Sequence, residues 1–179
     1  LDPSGIGIEM EADKPSWYDA LNGLPGLLGS SISETIELKR FCLFLLESFD
    51  KMSIDDSEDF KIFEELYRFV TKITATLREE PYSLSHWEKL NQAKESYRLS
   101  VLQGITGQEK KISAREIKKF LKLVVRQTDH AIKLATDKKG LLSTYFSHEM
   151  TRYRKLDAVN DQGMPFVVPL EFKRHALPL

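Results

Sequence analysis

Cysteine is almost missing from this chain: one, Cys42, among 179 residues. A disulfide within the chain is therefore excluded, and so is a cluster of thiolate metal ligands. Cys42 lies in Phe41-Cys42-Leu43-Phe44-Leu45-Leu46, the longest apolar run. There it reads as an inert buried thiol rather than a nucleophile, which is compatible with a cytoplasmic location. No apolar run approaches the roughly 20 residues that cross a bilayer as a helix, and no signal-peptide pattern precedes Cys42. An excess of either charge is also lacking, with 26 Lys and Arg against 27 Asp and Glu and a formal net charge of −1. Without a long-range field, neither nucleic acid nor an anionic membrane is expected as a partner. The short basic runs Lys118-Lys119 and Lys138-Lys139 read as solvated helix faces.

Chemical signatures are equally scarce. His86, His130, His148 and His175 share no H-x-H or H-x-x-x-H spacing, so a metal site has no pattern behind it. Gly5-Ile6-Gly7 lacks the third glycine of a dinucleotide fingerprint, and there is no phosphate-cradling Walker loop or G-x-S-x-G elbow. No cofactor is expected.

What is present is concentrated near the start. Lys14 to Ser31 places Trp17, Tyr18, Asp19 and Asn22 among glycines and prolines. Gly and Pro oppose a regular helix and favour a turning loop. Around it stand Glu9, Glu11, Asp13, Glu34 and Glu37. A carboxylic acid beside an aromatic is partly desolvated, which raises its pKa and keeps a proton available to a glycosidic oxygen. Aromatic faces also stack on sugar rings. The alternative is that Asp19 caps a turn and Trp17 packs in a core.

The remainder reads as helix. Ser31 and Glu34 fit a capping box that opens a helix over 32–50. That helix is apolar nearly all round in its second half, which implies burial on more than one side. Asp55 to Ser57 open a second helix reaching about 79, with Phe60, Phe63, Leu66, Phe69, Val70 and Ile73 at helical spacing. Ser83 or Ser85 opens a third, to about 102. Ser113 and Glu116 form a second capping box for a fourth, to about 137, with Gly140 as its C-cap signal. Tyr145 to Lys155 is compatible with helix or loop, whereas Phe166 to Leu170 is β-prone but restricted by Pro165 and Pro169 to an edge or extended segment. The expectation is an all-α fold of helical hairpins over 31–138, between an irregular segment at 1–30 and an irregular tail at 139–179.

Trp17-Tyr18-Asp19-Ala20-Leu21-Asn22-Gly23, followed by Gly29 and by Glu34-Thr35-Ile36-Glu37-Leu38 entering a helix, resembles the acid-bearing motif of cellobiose-phosphorylase-like enzymes. Those glycoside phosphorylases and hydrolases carry W-N-D-x-x-N, a glycine-containing stretch and E-S/T-x-x-L. Tyr18 stands where the family has Asn. The resemblance covers about 35 residues and implies part of an (α/α)6 barrel. It makes Asp19 the general acid and Trp17 a wall of the donor-sugar subsite, with Tyr18, Asn22, Glu11 and Glu34 toward the substrate. Glu11, Glu34 and Glu37 are also candidate bases for an attacking water. The implied partners are a carbohydrate, inorganic phosphate and the rest of a longer parent chain, of which this segment would be one catalytic-domain fragment. The competing expectation is a non-catalytic helical interaction module.

Overall fold

The computed structural model describes residues 1–9, 29–79 and 82–177. Its elements run β1 (Ile8–Glu9), β2 (Gly29–Ser31), α1 (Ile32–Lys51), β3 (Asp59–Phe63), α2 (Glu64–Thr76), α3 (Leu84–Val101), β4 (Glu109–Ser113), α4 (Ala114–Ala135), β5 (Tyr145–Val159) and β6 (Pro165–Leu177). The fold is therefore mixed α and β, and the all-α expectation is overturned. Four helices and two antiparallel sheets, one of four strands in the order β1-β2-β5-β6 and one of β3 with β4, also give no hairpin toroid among the described residues.

The helix starts follow hydroxyl caps. Ser31 Oγ accepts from the Glu34 N–H at 3.4 Å. Ser83 does the same for His86 at 3.2 Å. At α4 the box is complete: Ser113 Oγ accepts from the Glu116 N–H, and the Glu116 carboxylate accepts from the Ser113 N–H at 2.9 Å. These caps satisfy N–H groups that the helix itself cannot reach. The two-stranded sheet covers more of them. Asp59↔Ser113 to Phe63↔Glu109 pair in register immediately before α2 and α4. The Ala114 and Arg115 N–H groups then donate to the carbonyls of Glu58 and Asp56.

Three sequence assignments fail. The second helix begins at Glu64, not near 55, because 59–63 is strand β3 with period-two exposure. The fourth ends at Ala135, close to the expected 137, but Gly140, at φ +80°, belongs to the turn closed by its N–H on Asp137 O rather than to a helix cap. The tail from 145 is neither helix nor loop but a long ribbon, β5 with β6. Asn160 to Gly163 turns it, with the Asn160 side chain accepting from the Gln162 and Met164 N–H groups and Gly163 at φ +74°. β6 lies at the sheet edge, where Pro165 and Pro169 interrupt no second ladder.

α1 packs on α4 and α2 on α3, with Lys39 of α1 bridging Asp129 of α4 at 2.6 Å. The all-round burial expected of α1 is absent: Phe41 is 58% and Phe44 60% exposed, while Cys42 is buried. Its thiol is free and its pKa is raised by burial, as suits an inert group. Ile6, Ile32, Ala135 and Phe146 form a sealed cluster. That cluster joins the entry segment before β1, the start of α1, the end of α4 and the start of β5. No helix among the described residues is long and apolar enough to cross a membrane.

Candidate functional site

The entry segment is organised by one carboxylate. Asp2 is 1% exposed. Its side chain accepts from the N–H groups of Ser4 (2.9 Å), Ile6 (3.1 Å) and Gly7 (2.9 Å), and from Ser30 Oγ (2.6 Å). A buried carboxylate is tolerable only when its lone pairs are taken up in this way. Both glycines of Gly5-Ile6-Gly7 have local reasons. Gly5 sits at φ +71°, and a Cβ there would stand 2.7 Å from the Tyr82 ring; at Gly7 one would meet Ser30 Oγ at 2.8 Å. Close approach, not a nucleotide, accounts for them. The Tyr82 hydroxyl donates to the Asp2 carbonyl at 2.9 Å, tying the loop to the chain just ahead of α3.

His148, buried on β5, faces this loop. Its Nε2 lies 3.2 Å from Ser4 Oγ and 3.7 Å from Asp2 Oδ2. Desolvation lowers its pKa, and the nearby Asp2 charge only partly offsets that. Ser, His and Asp are thus together, but the hydroxyl and the carboxylate share one ring nitrogen while Nδ1 is buried without a partner. A catalytic triad needs the carboxylate on Nδ1 and the hydroxyl on Nε2. The cluster is a structural knot.

Beside the knot the chemistry changes. Glu9, at the end of β1, accepts a hydrogen bond from the Trp87 indole N–H at 2.9 Å. Burial raises the Glu9 pKa, against the pull of that hydrogen bond. Glu9 and Trp87 also line a cavity of about 450 Å³ between the four helices. Its walls are mainly apolar, among them Leu38 and Leu45 of α1, Phe69 of α2 and Phe120 of α4, with Asn91, Lys94, Gln127 and Thr128 among the polar lining residues. A carboxyl that holds its proton more tightly, set against an indole at the rim of an apolar cavity, is an environment suited to general acid catalysis.

Glu34 falls in the first turn of α1, half-buried, and its Oε2 is buried without a hydrogen-bond partner among the described residues. Glu37 is exposed and held by Arg40 at 2.6 Å, which makes it an unsuitable base. Glu11, Trp17, Tyr18, Asp19 and Asn22 lie outside the described residues. The pairing of Glu9 with Trp87 was not legible in the sequence: 78 positions separate the two, and Trp87 reads there as one more residue of a helix stripe. His148 and the run Arg152-Tyr153-Arg154 lie close together in the sequence. The ribbon buries His148 and leaves the other three exposed. His86 is also buried, stacked on Tyr82 at 4.6 Å, with both ring nitrogens unpartnered and its pKa lowered by desolvation.

Compared with known proteins, the chain matches no family model and no curated sequence.

Proposed function

We propose that this chain is part of the catalytic region of a cytoplasmic carbohydrate-active enzyme that cleaves glycosidic bonds with inversion, by phosphorolysis or hydrolysis. The observation that carries the reading is the run Trp17-Tyr18-Asp19 with Asn22 leading into α1. α1 begins at Ile32, capped by Ser31, and Glu34 in its first turn has a buried oxygen with no hydrogen-bond partner among the described residues. Such an oxygen is costly unless a hydrogen-bond donor, such as a ligand hydroxyl, meets it. Glu9, on the strand paired with β2, adds a second carboxyl, and Trp87 of α3 adds an aromatic wall.

In this reading Asp19 gives its proton to the leaving oxygen as the bond from that oxygen to the anomeric carbon breaks. An oxygen of phosphate or water forms the new bond from the opposite face. Trp17 stacks on the sugar, and Tyr18, Asn22, Glu11 and Glu34 hold its hydroxyls. Hydrolysis further needs a carboxylate base roughly 6.5–9.5 Å from the acid, and Glu11 or Glu34 fills that role. The partners are a carbohydrate, phosphate for phosphorolysis, and the remaining parent polypeptide. In the complete enzyme, Asp19→Asn lowers turnover by about 10²- to 10⁴-fold, the usual worth of a general acid. Unchanged turnover overturns the assignment.

A second reading is a non-catalytic helical interaction module. It is favoured by the apolar walls of the cavity, which offer few partners for sugar hydroxyls, and by the exposed Phe41 and Phe44. Phe44→Ser separates the two: it weakens association with a partner under the second reading and spares turnover under the first.

A further inference from the structure

α4 carries Arg115, Lys118, Lys119, Lys122 and Arg126, at helical spacings that place them along one face. All five line a single cleft of about 530 Å³, which among the described residues is also lined by Asp50 and Asp56. Among the described lining residues the basic side chains outnumber the acidic ones, in a chain whose overall charge is −1. The acids are used at one end. Asp56 takes Lys118 at 2.9 Å and Arg115 at 3.9 Å. Lys118 is half-buried, also reaching the Ile54 carbonyl and lying over the Phe49 ring at 5.6 Å. At the other end the Arg126 guanidinium is steadied by the Leu77 carbonyl at 2.8 Å. Between them Lys119 and Lys122 are exposed and have no carboxylate within ion-pair distance among the described residues.

We propose that this cleft binds a compact phosphate group, free or as a phosphomonoester, between Lys119 and Lys122. Residues three apart on a helix are neighbours, with Cβ atoms about 5–6 Å apart. Two such ammonium groups match the charge of roughly −1.5 to −2 on a phosphate monoester at neutral pH. A long polyanion fits less well, because the exposed carboxylates of Asp50 and Asp56 close one end of the stripe. The inference is independent of the glycoside reading. Asp50 and Glu34 are 16 positions apart on α1, which is about 24 Å at the helical rise, so the cleft is remote from Glu34.

The test is a titration of the ¹⁵N-labelled 179-residue chain with inorganic phosphate and with a phosphomonoester, ionic strength being held constant with sodium chloride. Saturable shifts centred on the amides of Lys119, Lys122 and Arg126 are expected. Lys119→Ala with Lys122→Ala should weaken binding at least tenfold, and the Lys→Arg pair should retain it. Alanine is the stronger helix former, so α4 itself is not weakened. Shifts that chloride reproduces, or affinity untouched by the alanine pair, overturn the proposal. Tighter binding of an oligonucleotide than of either phosphate ligand also overturns it, in favour of a nucleic-acid surface.

Discussion

Replacing Asp2 by Ala removes the acceptor on which the entry segment is wound. The carboxylate takes three backbone N–H groups and one hydroxyl. The bonds to Ile6, Gly7 and Ser30 are buried, whereas that to Ser4 is partly open to water. Each buried donor left without a partner costs about 1–3 kcal/mol. Some relaxation is available, because losing a buried charge also removes its desolvation cost. The expected loss is therefore about 3–5 kcal/mol, a large share of the roughly 5–15 kcal/mol that holds a domain folded. For a domain of this size each kcal/mol moves Tm by about 2–4 °C, so Asp2→Ala should melt on the order of 10 °C lower by circular dichroism. Asp157→Ala, at an exposed ribbon position, is the control and should change stability by less than about 0.5 kcal/mol. Asp2→Asn should lose nearly as much as Asp2→Ala, since its amide nitrogen turns one more donor toward groups that are already donors. A fall in Tm of less than about 2 °C for Asp2→Ala would refute the reasoning, because it would mean that the four donors find other acceptors at no cost.

Gly7→Ala sets a methyl against Ser30 Oγ at 2.8 Å and the Ser31 N at 3.1 Å; a loss of about 1–3 kcal/mol is expected in denaturant titration. Ser113→Ala removes the hydroxyl half of the box at α4 and should cost about 1 kcal/mol, again read from the denaturation midpoint. His86 and His148 both have pKa values lowered by burial from 6.5. The unfolded chain therefore takes up protons first, and stability falls as the pH drops through 6.5 toward the folded-state values. Glu9 acts in the opposite sense, since a pKa raised from 4.5 costs stability as the pH rises above that value. Between pH 7.5 and 5.5, His86→Gln with His148→Gln should flatten the acid-side decline in the denaturation midpoint, and an unaltered slope would count against buried neutral imidazoles.

Local signals were readable and distant pairings were not. Ser31, Ser83 and Ser113 mark the starts of α1, α3 and α4 because capping is a contact within three residues. Strand β3 was hidden because Phe60 and Phe63 satisfy a helical period together with Leu66 and Phe69, while the alternation of Asp59 to Phe63 is only five residues long. What decides it is β4, more than 45 positions away, whose backbone completes the ladder. The ribbon is the same case: Arg152, Arg154 and Lys155 give β5 little strand character, and its pairing with β6 supplies the order. Glu34 could be placed at a helix start from its distance to Ser31. Asp2 could not be recognised as an anchor, because its acceptor role depends on Ser30, 28 positions on. Lys118 read as part of a solvated face, but it lies half-buried on Phe49 and bonded to Asp56, contacts that bring α1 and the approach to β3 against α4.

The central claim is that Asp19 protonates a glycosidic leaving oxygen, and a leaving group that needs no proton tests it most directly. Turnover of the complete enzyme and of its Asp19→Asn variant should be measured on an ordinary glycoside and on the corresponding glycosyl fluoride. The account predicts a loss of about 10²- to 10⁴-fold on the glycoside and a far smaller loss on the fluoride. Equal losses on both substrates, or none on either, would contradict it.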